Sequence, residues 1–215
     1  EPNDLMDWGL LGATIGRIAG SYWEVPVIEG IEKVPSSDQL KHFGAAMASY
    51  GSVPLFHIVG ITPECNKLED VGGLSLGVKK ITDEAIRNLK EPFTAVGDPV
   101  DVVVFAAPQL SIIEMSKLAE LCNGRERAAK TDVIVCTSAQ VYADAVSMGY
   151  VAKIETFGGQ VLVGTCFYQQ YAREIGEFNG WKRLLSNSAK IVNILGGYGY
   201  KPSLATMEAC IASAE

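Results

Sequence analysis

Four short β-branched or leucine-rich runs divide the second half of this 215-residue chain, and each ends in small polar residues, an Ala-Pro step or a cysteine. Val102-Val103-Val104-Phe105 leads into Ala106-Ala107-Pro108, and Val133-Ile134-Val135 into Cys136-Thr137-Ser138. Val161-Leu162-Val163 leads into Gly164-Thr165-Cys166, and Leu184-Leu185 into Ser186-Asn187-Ser188. Helical periods separate the runs. Ser111 and Glu114 have capping-box spacing and open a stripe through Met115, Leu118 and Ala119 to Gly124. Ser138 can cap a second helix with Val141, Ala145 and Met148 on one face, stopped by Gly149. Strand–helix alternation of this kind predicts a doubly wound α/β fold with a mostly parallel sheet. Ligands of such sheets bind beyond the carboxyl ends of the strands. Cys, Thr, Ser and Asn at strand ends are therefore the candidate chemistry.

The first half is less regular. A helix is expected over 4–19, capped by Asn3 and stopped by Gly20. Gly9, Gly12, Gly16 and Gly20 fall on one stripe of it, which predicts close backbone packing, with a sheet as the expected partner. Val25-Pro26-Val27-Ile28 reads as an edge strand, since proline cannot donate to a ladder. Ser36 and Gln39 form a capping box for a helix ending near Gly51. The run 53–59 reads as a buried strand, Gly72, Gly73 and Gly77 as an irregular loop, and Thr82 as the cap of a short helix. Gly97-Asp98-Pro99 is the expected hinge, giving two parts, 1–97 and 98–215. The polar and aromatic stretch 169–180 has no clear assignment. A helix is expected over 203–214, and Gly196-Gly197-Tyr198-Gly199 reads as a turn.

Composition narrows the function classes. The net charge is −7 and no Lys/Arg-rich run occurs, which argues against a nucleic-acid partner. The apolar stretches are too short or too interrupted to span a bilayer. Five cysteines without close pairs or a secretory signal fit a reducing cytoplasm. The first residue is Glu1, not Met, which suggests a processed protein or an excised piece.

Cys166 and Cys136 can each be read as a thiolate ligand in the crevice or as a buried, inert residue. No C-x-x-C spacing supports a closed zinc site, but cysteines on separate strand ends can hold a cluster. Cys122 and Cys210 fall in helices and read as core. Cys65 is ambiguous. Ser186-Asn187-Ser188 with Lys190 offers hydroxyl, amide and ammonium groups to a carboxylate or phosphate, or simply caps a helix. His57, within an apolar run, is either a core histidine or a base. His42 is expected on the surface of its helix.

Several of these segments resemble the aconitase X family. They are 25–30 (VPVIEG), 44–49 (GAAMAS), 56–64 (FHIVGITPE), Cys136-Thr137-Ser138 with Val141-Tyr142, Gly164-Thr165-Cys166, and 186–190 (SNSAK). Their order and spacing match along nearly the whole chain, which is similar to the C-terminal part of the family's large subunit or region. The resemblance implies an aconitase-like, three-layer α/β architecture and a hydro-lyase that dehydrates a small hydroxy acid. It implies an iron–sulfur cluster held by cysteines, the remainder of the large subunit, and a swivelling small domain or subunit. Carried over, Cys166 and Cys136 are the metal candidates. Ser188 and His57 are the catalytic candidates. Thr137, Ser138, Ser186, Asn187, Lys190 and Thr62 are the substrate-binding candidates. Three positions depart from the pattern. Ala107 stands where the family often has Cys or Ser, Gln109 where His is common, and Ala139 where Arg is common. The alternatives are a non-catalytic binding or scaffold subunit, or a doubly wound enzyme that binds a phosphorylated metabolite.

Overall fold

The computed structural model describes residues 2–72, 77–94 and 99–215. The chain forms two compact units, 1–91 and 92–215. The expected hinge residues Gly97 and Asp98, like Gly73, lie outside the described residues.

In the first unit, α1 (Leu5–Ala19) packs on α2 (Ser37–Gly51). The cap of α1 is Asp4 rather than Asn3: its carboxylate accepts the Asp7 N–H at 2.8 Å. Gly20 ends the helix in the left-handed conformation. The glycine stripe does pack against backbone, but the backbone belongs to α2 and not to a sheet. A Cβ on Gly12 would collide with the Phe43 carbonyl, and one on Gly16 with the Met47 carbonyl. Around this contact Trp8, Phe43, Met47 and Ile58 are buried, with Phe43 edge-on to both Trp8 and Phe56. Gly12→Ala is therefore expected to force the helices apart and cost about 1–3 kcal/mol. Thermal unfolding of the complete protein checks it, with Gly196→Ala as the control, since Gly196 has open space around its Cα.

Ser36 and Gln39 form the expected capping box at α2. His42 is buried on that helix, not on the surface. Of the run 53–59, only His57–Ile58 (β2) is strand, paired in parallel with Val27–Ile28 (β1). Pro54 interrupts the run, and Leu55 faces solvent. Thr82 caps α3 (Asp83–Lys90).

The second unit carries a five-stranded parallel sheet, made of β3 (Val102–Leu110), β4 (Asp132–Thr137), β5 (Gly159–Val163), β6 (Arg183–Ser186) and β7 (Lys201–Leu204). The spatial order is β5-β4-β3-β6-β7. Central strands are covered on both faces, which is why they read as continuous apolar runs. On one face Val103, Phe105, Val133, Val135 and Leu185 meet α4 (Ile112–Cys122), α6 (Tyr150–Phe157) and α9 (Met207–Ala212). On the other, Val104, Ile134 and Leu184 meet Phe167, α7 (Ala172–Asn179) and α8 (Ala189–Leu195). The result is a three-layer α/β/α unit.

The connection between β4 and β5 holds two helices, α5 (Ala139–Ser147) and α6, where one is expected. The stretch 169–180 contains α7, after a 3₁₀ turn at Phe167–Gln169. The expected helix over 203–214 is shorter, because Lys201–Leu204 is an edge strand with Pro202 in it.

Candidate functional site

The strand order fixes where a ligand crevice opens in the second unit. β4 lies on one side of β3 and β6 on the other. α4 follows β3 on one face, and α8 follows β6 on the opposite face. The chain thus reverses direction between β3 and β6, and the crevice opens past their carboxyl ends. Residues 106–109 and 186–190 occupy that place.

Ser188 ties the two ends together. Its hydroxyl donates to the Ala107 carbonyl at 2.6 Å and accepts the Ile191 N–H at 3.2 Å, capping α8. Ser186 donates to the Val104 carbonyl at 2.6 Å and accepts the Ser188 N–H at 3.2 Å. Both hydroxyls are buried, and so is Asn187 between them. Ala107 adopts a left-handed φ of 45° and is joined to Pro108 by a cis peptide bond.

Cys136 and Cys166 come together one strand away. Cys136 points to the same sheet face as Ala106, Ala107 and Phe167, and Cys166 packs into that cluster. The Phe167 backbone amide acts against the rise of both thiols, so both sulfurs lie in its vicinity. Burial pushes the Cys136 thiol up to about 12, and the neighbouring Cys166 adds to the shift. Burial also raises the Cys166 thiol. The Tyr168, Ala107 and Phe167 amides and the Lys190 charge act against that rise. Burial outweighs them, so the net shift of the Cys166 thiol is upward. Gln109 braces the approach, its side-chain amide donating to the Thr165 carbonyl at 2.8 Å. Tyr168 stands beside Cys166 and Tyr198; burial, then those neighbours, raise its phenol.

Other expected site residues fall elsewhere. Thr137 points away from Cys136, to the opposite face of the sheet, and its hydroxyl donates to the Leu110 carbonyl at 2.8 Å. Ser138 caps α5 through the Val141 N–H. In the first unit, Thr62 closes a turn on Ile58, accepting its N–H at 3.1 Å and donating to its carbonyl at 3.2 Å. His57 Nδ1 lies 2.8 Å from Glu64 Oε1. Cys122 and Cys210 are core residues of the second unit, as expected. Cys65 is buried in the first unit, with its thiol raised by burial.

The residues that periodicity does not mark are Glu64, Gln109 in its bracing role, and the amides of Phe167 and Tyr168. The first signals itself only through Gly60, which can turn the chain back toward His57.

The donor set can be tested against the iron–sulfur group that the resemblance implies. Two thiols converge in one buried cluster, and cysteine sulfur is the ligand that such clusters take. Ala107 contributes no third donor, and no group of three or more His, Cys, Asp or Glu placed to hold a metal occurs among the described residues. The two thiols are compatible with a partial ligand set and not with a complete one. No helix among the described residues is long and apolar enough to cross a membrane.

Comparison with known proteins agrees along the whole chain. Residues 1–91 match the family model of the aconitase X second domain, and residues 100–215 that of the third domain. A cis-3-hydroxy-L-proline dehydratase of Hypocrea jecorina is 39% identical over 163 residues, covering 74% of this chain and 27% of that protein. One from Pseudomonas aeruginosa is 30% identical over 208 residues, covering 94% and 36%. The phosphomevalonate dehydratase large subunit of Methanocaldococcus jannaschii is 33% identical over 188 residues, covering 85% and 43%. The crystal structure of Thermococcus kodakaraensis aconitase X in its holo-form aligns over all of this chain and 53% of its own, with a TM-score of 0.82 at 24% identity. The chain thus spans between about a quarter and a half of the length of these proteins.

Proposed function

The chain belongs to the aconitase X family, and from that membership we propose that it is part of a hydro-lyase that removes water from a small hydroxy acid. The observation that carries the reading is the Cys136–Cys166 pair, two sulfurs in one buried cluster with Ala106 and Ala107, beside the crevice between β3 and β6. The names of the relatives support it, since all three compared sequences are dehydratases.

In this reading Cys136 and Cys166 are this chain's ligands to an iron–sulfur cluster of unassigned type. Such a cluster, when bound, supplies a Lewis acid for the departing hydroxyl. The rest of the work falls to the chain itself. Lys190 offers an ammonium to a substrate carboxylate, and Asn187 a carboxamide to a substrate oxygen. Ser186 and Ser188 hold that segment against β3; the Ser188 hydrogen is already given to Ala107, so Ser188 is a positioning residue here. Thr137 and Ser138 shape the end of β4, and Thr62 shapes the turn after His57. His57 is the proton acceptor. The partners are the substrate, the remainder of the large subunit, and a small swivelling domain or subunit. A cytoplasmic location is part of this reading, and the five free cysteines support it.

Ala107 favours one alternative, a non-catalytic binding subunit on the same fold, because it brings no side-chain donor to a position where the resemblance implies Cys or Ser. Assay of the complete enzyme, purified without oxygen, separates the two. Unphosphorylated and phosphorylated hydroxy acids are offered, and the unsaturated product is followed by mass spectrometry. Loss of water from any of them supports the hydro-lyase. Binding without turnover by an iron-loaded enzyme favours the alternative.

A further inference from the structure

The crevice past β6 holds a polar group that the chain itself leaves unused. Asn187 is only 3% exposed, yet among the described residues its carboxamide takes part in no hydrogen bond. The fully occluded polar side-chain atoms without a partner are, among the described residues, Tyr50 Oη and Arg127 Nε. Asn187 contributes neither, so the little surface it keeps includes both atoms of its carboxamide, at the carboxyl end of β6. Its neighbours Ser186 and Ser188 behave differently and commit their hydroxyls to carbonyls of β3. Buried polar groups are normally paired, so an open carboxamide in this position points to a ligand.

Three further donors lie around Cys166, at the same edge of the sheet. Lys190 follows Asn187 by three residues, and its ammonium lies in the vicinity of Cys166. The 3₁₀ turn Phe167–Gln169 packs on α8 and on β3, and a second 3₁₀ turn, Gly196–Tyr198, continues α8. These turns carry Tyr168 and Tyr198. Both tyrosines pack against the buried cluster that contains Cys136, Cys166 and Ala107. Tyr168 lies in the vicinity of both Cys166 and Tyr198. Arg173 fixes the loop of Tyr198, donating to the Gly197 carbonyl at 2.9 Å. Neither phenol hydroxyl has a hydrogen-bond partner among the described residues.

We propose that Tyr168 and Tyr198 are specificity-determining residues of this crevice, their hydroxyls joining the Lys190 ammonium and the Asn187 carboxamide to bind the carboxylate of the substrate. The inference rests on the hydro-lyase reading above and adds to it the two tyrosines and the class of anion. A carboxylate only accepts hydrogen bonds, and its two oxygens offer about four lone-pair sites. A phenol keeps its hydrogen at neutral pH, so both tyrosines donate, as the ammonium and the amide nitrogen do. None of the four side chains carries a negative charge. The one ammonium matches the single charge of a carboxylate. A phosphate monoester, at about −1.5 to −2 near neutral pH, exceeds it.

The test uses the complete protein labelled with ¹³C at the tyrosine ζ carbons, the two signals being assigned through Tyr168→Phe and Tyr198→Phe. Lactate, 3-hydroxybutyrate and L-serine are offered as carboxylates, their amides as uncharged counterparts, and inorganic phosphate as the competing anion. At least one carboxylate should bind and shift both signals. Calorimetry should show it binding about tenfold more weakly to either Phe variant, the effect of one lost hydrogen bond to a charged group. Lys190→Met should erase the preference for that carboxylate over its amide. The amides and phosphate should shift neither signal. Signals that move with phosphate and with no carboxylate would overturn the class of anion. Carboxylate binding with both signals unmoved, or with unchanged affinity in both Phe variants, would overturn the role of the tyrosines and leave the hydro-lyase reading standing. No response to any probe would overturn the proposal outright. Carboxylate binding with both signals shifted, in an iron-loaded enzyme that dehydrates no hydroxy acid, would overturn the hydro-lyase reading and leave the tyrosine site in place.

Discussion

Cys166→Ser in the complete enzyme should abolish dehydration and lower bound iron while leaving the fold intact. The side chain is nearly isosteric, and Cys166 lies at the start of a 3₁₀ turn where its sulfur caps no N–H of the helix. Packing therefore changes little. What changes is the donor. Serine is a hard oxygen ligand with a far less acidic proton, whereas iron–sulfur chemistry depends on thiolate. Lewis-acid assistance is worth several kcal/mol of transition-state stabilisation, so a loss of about 10³-fold in kcat is expected. Circular dichroism and thermal unfolding should be close to wild type. Cys210→Ser is the contrasting variant. Cys210 is fully buried in the core on the other sheet face, so it should lose stability and keep its iron.

The second large effect concerns Ser188. Its hydroxyl does two jobs at once, donating to the Ala107 carbonyl and accepting the Ile191 N–H. In Ser188→Ala the cap of α8 is lost, at about 1 kcal/mol. The buried Ala107 carbonyl also loses its donor, at about 1–3 kcal/mol. A total of about 2–4 kcal/mol is expected. Catalysis should suffer as well, because Ser188 is the link between the ends of β3 and β6. Asn187 and Lys190 sit on either side of it. Ser188→Thr keeps the hydroxyl and should restore part of the stability. Ser188→Ala with wild-type unfolding would contradict this assignment. Comparable thermal unfolding scans of the three proteins, together with kcat and KM, separate the stability effect from the kinetic one.

What could be read from the sequence follows from how local each determinant is. The capping boxes at Ser36/Gln39 and Ser111/Glu114 involve residues three apart, and both form. Val102–Phe105 and Val133–Val135 are buried on both faces of a parallel sheet, so their apolar character announces them. Lys201–Leu204 carries lysine, proline and serine, and only its place at the sheet edge makes it a strand. The run 53–59 has the apolar character of a buried strand. Yet it finds only a two-residue partner in β1, so most of it cannot pair. The glycine stripe shows that something must come close, but not whether helix or sheet does so.

The site divides in the same way. Strand ends locate Cys136 and the Ser186-Asn187-Ser188 segment. The side on which each residue points depends on the pleat, and it separates Thr137 from Cys136 by a single step. That Cys166 joins the cluster of Cys136 depends on the turn after β5, which no periodicity encodes. The pairing of Glu64 with His57 likewise depends on one reversal at Gly60.

Iron K-edge X-ray absorption on the complete enzyme, purified without oxygen, tests the central claim most directly. The account predicts iron with sulfur neighbours, and loss of protein sulfur from the iron shell in both Cys136→Ser and Cys166→Ser. Iron whose sulfur shell is the same in wild type and both variants would contradict it, as would a reconstituted enzyme that holds no iron at all.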